Sequence, residues 1–157
     1  MRDRLITWLL PLLAAGIGVW VWTLLPDLQQ AGVPFDLRLT GYGLTEALAY
    51  VAALTPEAMA TYLGPWRIAD TLFPLLMMPA LLLPLWGRGQ MWFLPALAYG
   101  LADLGENNAV ARLLTAGAEM TASQVMLAST LTQGKFLALG LAVGLAAWAL
   151  WQGWRTR

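Results

Sequence analysis

The stretch Gln90–Leu114, QMWFLPALAYGLADLGENNAVARLL, decides how this chain reads. It is long enough to cross the roughly 30 Å of hydrocarbon in a bilayer. Yet it carries Asp103, Glu106, Asn107 and Asn108 near its centre. An acid at the midpoint of a membrane helix costs roughly 2.5–3.5 kcal/mol on insertion scales. Two acids and two amides within six residues therefore need a partner, a water-filled cavity or a ligand.

The rest of the chain sets the same frame. Its 157 residues are 59% hydrophobic and 11% charged, against about 25% charged in a soluble domain. Mean hydropathy is +0.63. The composition predicts a single all-α integral membrane domain over residues 1–157, a four-helix bundle. The expected spans are about 5–25, 66–86, 90–114 and 123–151, each long enough for the hydrocarbon. Pro26 is expected to end the first. Arg2 and Arg4 precede that span as in a secretory signal, but the apolar run is longer than a signal's and contains Trp20 and Trp22, so a retained span is expected.

Charge fixes the expected orientation. Arg2, Arg4, Arg88, Arg155 and Arg157 fall on one side if the spans alternate, and the positive-inside rule makes that side cytoplasmic. Trp8, Trp86, Trp92, Trp151 and Trp154 then belong to the inner interface, and Trp20, Trp22 and Trp66 to the outer one. A bacterial inner membrane with both termini in the cytoplasm is the expected setting.

Several chemistries are excluded. The chain has no Cys and no His, and its only serines are Ser123 and Ser129. Thiol chemistry, a Ser-His-Asp triad and His-containing metal sites are impossible. No cofactor or metal is expected. Net charge is zero, and nothing points to nucleic acid.

Residues 26–65 form a long outer loop. Leu44–Leu54 and Pro56–Leu63 read as short amphipathic helices along the outer interface. Thr45 and Thr55 are their expected N-caps, with Pro56 at the first position and Gly64 as a C-terminal cap. The loop is either a lid over the spans or a linker anchored by Tyr42, Tyr50 and Tyr62. In the second span Pro74, Pro79 and Pro84 bend the helix, which either opens a cavity or only shapes packing. Gly140 and Gly144 form a small-xxx-small pair, expected to pack on Gly16 and Gly18, with homo- or hetero-oligomer formation as the alternative.

The polar set lies on one helical face. At about 100° per residue, Trp92, Tyr99, Asp103, Glu106 and Val110 share a stripe, with Asn107 at its edge and Asn108 opposite. On the fourth span Gln124, Ala128, Thr132, Lys135, Ala142 and Ala146 share another. The two helices run antiparallel, which brings Lys135 to the depth of Asp103 and Glu106 and predicts that it pairs with one or both. Arg67 and Asp70, with Thr71 beside them, are expected to form a shallow interfacial pair with each other or with Arg112 and Glu57. The alternative for Asp70 is an extension of the polar pocket.

The strings Ile68–Leu75 (IADTLFPL), Leu101–Asn107 (LADLGEN) and Ala128–Phe136 (ASTLTQGKF) resemble those of small bacterial four-span membrane proteins. These carry an Asp before a Phe-Pro, a D-x-x-E-N and a T-x-x-K leading the last span. The resemblance covers most of the chain from Gly41 onward; it implies a bundle and no particular activity. The element order is also loosely similar to the emopamil-binding and sigma-2 receptor class, whose buried carboxylates face a sterol-like ligand. That similarity is architectural, with no residue-by-residue motif.

Three functions compete. The first is binding of a lipid or other hydrophobic small molecule by Asp70, Tyr99, Asp103, Glu106, Asn107, Thr132 and Lys135. If it extends to isomerase-like chemistry, Asp103 or Glu106 is the acid–base group and Lys135 its tuning partner. The second is an accessory or assembly subunit in which the network only holds helices together. The third is proton-coupled transport, disfavoured by the lack of an internal repeat.

Overall fold

The computed structural model describes residues 2–155, with side chains from residue 9 onward. The side chains of Arg2, Arg4 and Trp8, and Arg157 altogether, lie outside the described residues. Among the described residues the fold is entirely helical: α1 (Arg2–Gln29), α2 (Leu44–Ala53), α3 (Pro56–Thr61), α4 (Arg67–Leu82), α5 (Leu94–Ala116) and α6 (Ala122–Arg155), joined by short 3₁₀ turns and one π turn. Leu9–Gln29, Pro56–Leu85 and Ala122–Arg155 are long and apolar enough to cross a membrane. α5 has 23 residues but carries Asp103, Glu106 and Arg112, which break its apolar character.

α1 runs through Pro26 rather than ending there. The proline lacks one backbone donor but sits in the last turn, near the helix end, so little of the helix depends on it. Likewise Gly64 is not a C-terminal cap. The chain passes from α3 through the π turn Tyr62–Trp66 into α4, and Gly64 absorbs the kink with φ −104 and ψ −105. Thr55 caps α3 as expected, accepting from Ala58 N at 3.2 Å. At α2 the cap is Gly43 rather than Thr45, because Glu46 turns back to accept from Gly43 N at 2.8 Å.

α5 lies along α6, α4 against α5, and α1 against α4. The expected contact between Gly140–Gly144 and Gly16–Gly18 is absent. Gly16, Gly140 and Gly144 have open space where a Cβ would stand, and Gly18 faces Phe73 of α4. The close helix approach lies elsewhere: a Cβ on Gly100 of α5 would stand 2.7 Å from Met78 Sδ of α4.

The core has two apolar clusters. One, at the loop end, gathers Phe35, Tyr42, Tyr50, Tyr62 and Trp66 with Leu28, Val110, Leu113 and Val125. The other gathers Leu81, Ala96, Tyr99, Ala138, Ala142 and Ala146. On α5 and α6 the buried polar residues fall between the segments that feed these clusters, and on α4 Asp70 lies between Trp66, just before the helix, and Leu81.

The loop is a packed cap. Tyr42, Tyr50 and Tyr62, its expected anchors, are all buried. Phe35 packs between Tyr42, tilted against it at 4.8 Å, and Tyr50, edge-on at 4.9 Å. Gly41 takes φ +80, and a Cβ there would lie 2.8 Å from Ser129 Oγ, so only glycine fits. Ser129 Oγ in turn accepts from Tyr42 N at 2.9 Å, tying the loop to α6. Trp66 is not an interfacial residue: it is 1% exposed and lies in the core. Trp22, Trp86, Trp151 and Trp154 are exposed, while Trp92 stacks flat on Trp148 at 5.1 Å.

Candidate functional site

From Tyr99 onward the stripe on α5 is as its periodicity implies, whereas Trp92, expected in it, lies half-buried in the 3₁₀ turn Gln90–Phe93 before the helix. Tyr99, Asp103, Glu106, Asn107 and Val110 are buried, and Asn108 is exposed. On α6 Ala128, Thr132, Lys135, Ala142 and Ala146 are buried. Gln124 departs from that stripe: it is exposed and accepts from Thr121 N at 2.8 Å, which holds the start of α6.

Lys135 meets both acids. Its Nζ lies 3.0 Å from Asp103 Oδ1 and also pairs with Glu106 Oε2. Thr132, one turn before Lys135, donates to Glu106 Oε1 and lies 3.1 Å from the Ala128 carbonyl. Glu106 is therefore held from both sides in a site with no exposure. Its Oε2 has no partner besides the ammonium. Asp103 is held on one side only: its Oδ2 is buried and has no partner.

Asp70 does not pair with Arg67. It is 9% exposed and points inward, and its Oδ2 is also buried without a partner. Arg67 instead donates to Asn108 Oδ1 at 3.2 Å on the outer face of the α4–α5 pair. The i, i+3 spacing puts Arg67 and Asp70 near each other along α4, but the core lies on the Asp70 side, and the acid follows the pocket. Asn107 reaches Thr71 at 3.5 Å, a long contact that ties α5 to α4.

Asp36, which sequence reasoning did not single out, completes the buried set at 2% exposure. Its Oδ2 accepts from Tyr62 Oη at 2.6 Å and from Trp66 Nε1 at 3.1 Å, while Tyr62 Oη accepts from Phe35 N at 3.0 Å. The available signal was an acid between Phe35 and Leu37 in a stretch, residues 28–37, otherwise free of charge. Apolar neighbours on both sides draw such an acid inward.

A cavity of about 160 Å³ lies at the centre, beneath the Phe35–Leu37 turn and bordered by α1, α4, α5 and α6. Its polar lining is Asp36, Asp70, Asp103 and Lys135; its walls include the rings of Trp66, Phe73, Tyr99 and Phe136. Glu106, Asn107 and Thr132 stand behind this lining, not on it. Pro74 stands on α4 next to the cavity-lining Phe73 and four residues after Asp70. Pro74 offers no N–H, so the Asp70 carbonyl, four residues before it, loses its helical partner there.

An apolar cavity of about 150 Å³ takes a benzene ring, so this one has room for a small group. Three carboxylates against one ammonium favour a group that donates hydrogen bonds or carries positive charge. The aromatic walls suit the same partner. Among the described residues, no group of three or more carboxylates converges closely enough to hold a metal ion. No protein-family model, curated protein or solved structure matches this chain.

Proposed function

We propose that this chain is an integral membrane protein that binds a hydrophobic small molecule or lipid in the central cavity. Four spans make up the bundle in this reading, α5 being the fourth. Its acids are tolerated because Lys135 and Thr132 meet them inside the protein rather than in lipid. Large apolar residues on the outside, among them Leu12, Leu101, Leu137 and Leu141, are what a lipid-facing surface needs. Arg88 and Arg155 share one end with the exposed Trp86, Trp151 and Trp154, which supports a cytoplasmic location for that end in a bacterial inner membrane.

The single observation that carries the reading is the pair of bare carboxylate oxygens, Asp70 Oδ2 and Asp103 Oδ2, beside a cavity that both residues line. Buried oxygens without donors are costly unless a ligand or water supplies them. The ligand's donor-bearing head sits between Asp70 and Asp103, and its apolar body lies against Phe73, Tyr99, Phe136 and Leu139. If chemistry follows, Asp103 is the acid–base group, since it faces the cavity. Lys135 then positions it and Glu106 holds the lysine.

A second reading has one observation in its favour. Gly140 and Gly144 open onto unoccupied space, as the docking face of an accessory subunit would.

Native mass spectrometry of the detergent-extracted protein tests the proposal. The expected result is an organic species bound to wild type and lost from Asp103→Asn, with the helical fold kept. Wild type with nothing bound, together with an Asp103→Asn variant that is only less stable, would turn the reading to a scaffold.

A further inference from the structure

We propose that the outer ends of α4 and α5 form a separate site for the phosphate of an anionic lipid, held between Arg67 and Arg112. Both side chains are exposed. Arg67 opens α4 and donates to Asn108 Oδ1 at 3.2 Å. Asn108 is itself fixed by its own donation to the Leu104 carbonyl at 3.0 Å. Arg112 stands four residues beyond Asn108 on the same face of α5, so the two guanidiniums rise from one strip.

Neither cation has an acid. Among the described residues every ion pair belongs to Lys135, and Asp70, the acid nearest Arg67 along α4, is turned into the cavity. Arg67 reaches Asn108, and Arg112 stands one turn beyond Asn108 on α5, so both exposed cations flank that amide with no carboxylate between them, and an anion placed there would be shared by the two. A guanidinium offers parallel N–H donors that match two phosphate oxygens.

The surface next to them says which phosphate. A groove of about 350 Å³ is lined by Leu63, Arg67, Ile68, Thr71 and Leu72. Ile68 is 55% exposed, and the apolar strip continues to the exposed Leu75 and Leu101. A free phosphate has no use for such a surface, whereas a phosphatidylglycerol lays its chains along it. This site needs the bilayer location proposed above but not the cavity or its ligand.

The test is native mass spectrometry of the protein in neutral detergent, titrated with phosphatidylglycerol or phosphatidylcholine. Wild type is expected to retain phosphatidylglycerol roughly tenfold better. Arg67→Gln/Arg112→Gln should bring it down to the phosphatidylcholine level, and added inorganic phosphate should not displace it. Arg112→Gln alone should lose roughly half of that preference on a logarithmic scale. Among the described residues the Arg112 side chain has no hydrogen bond or ion pair to lose, which separates a lost site from a lost fold. Equal retention of the two lipids by wild type, an unchanged preference in the double variant, or displacement by inorganic phosphate would each overturn the proposal. A chain that stays soluble without detergent would overturn the bilayer location itself, a result distinct from loss of lipid preference.

Discussion

Glu106 and Asp103 stand about one turn apart on α5 and share one lysine, yet their surroundings differ. Glu106 has Thr132 on one oxygen and Lys135 on the other, with no exposure and no place on the cavity. Asp103 spends one oxygen on Lys135 and leaves the other buried without a donor, on a residue that lines the cavity. The same contrast separates Asp36, held by Tyr62 and Trp66, from Asp70, which keeps a bare oxygen. In a dry interior each unmet acceptor costs about 1–3 kcal/mol. A satisfied acid therefore acts as a lock. An acid left short in a cavity marks where the molecule gives up stability for something else.

The sharpest way to break the contrast is to remove what both acids share. Lys135→Met keeps the side-chain length but leaves Asp103 and Glu106 without a cation. Removing one partner of a buried ion pair costs about 3–5 kcal/mol. Thermal unfolding in detergent should show a fall in Tm of about 10 °C, at roughly 2–4 °C per kcal/mol for a chain of this size. A shift within error would mean that the acids are neutral and that the lysine does not lock them.

Glu106→Gln separates the two acids. Its amide oxygen can still accept from Lys135, and its nitrogen can donate to Thr132, whose hydroxyl then turns to the Ala128 carbonyl at 3.1 Å, so what is lost is the negative charge beside the buried ammonium. The expected loss is about 2–3 kcal/mol, again read by thermal unfolding. The cavity lining is untouched, so a bound species should survive in the molecules that stay folded. If the species disappears while the fold holds, Glu106 belongs to the site rather than to its support.

At the loop end, Tyr62→Phe sharpens the Asp36 half of the comparison. The hydroxyl both donates to Asp36 and accepts from the Phe35 amide, so its removal leaves a buried carboxylate short of a donor and a buried N–H unmet. A cost of about 2 kcal/mol follows. Hydrogen exchange should show the loss first at residues 33–42, where the loop is pinned to the helices. Uniform loss over α5 and α6 would contradict a cap that is local.

Periodicity alone placed the buried faces of α5 and α6, because the 3.6-residue repeat and the cost of a charge in lipid leave one arrangement for Asp103, Glu106, Thr132 and Lys135. The antiparallel run of two adjacent helices then set Lys135 at the right depth. Four features were missed or left open for physical reasons. Asp36 lies in a loop, where no repeat reports which way a side chain points. Asp70 and Arg67 are near neighbours on α4, and only the position of the cavity decides that one turns in and the other out. Gly140 and Gly144 state that a close approach is allowed, not which helix takes it, and α1 lies against α4 instead. The cavity itself is a difference between volumes, which no single helix face encodes.

The smallest change in stability should come from the acid on which the proposed binding depends most. In Asp103→Asn the Oδ1 position can still accept from Lys135, and Lys135 keeps Glu106. The bare Oδ2 becomes an NH₂ group in a cavity that also holds Asp36 and Asp70, both acceptors. One buried oxygen without a donor is thereby removed, and the net change should stay within about 1 kcal/mol in either direction. That is a Tm shift of no more than roughly 4 °C. Retention of the proposed ligand should fall far more, because the amide presents a donor where that ligand would bring one. A variant as damaged as Lys135→Met would place Asp103 among the locks and erase the distinction between the two acids on α5.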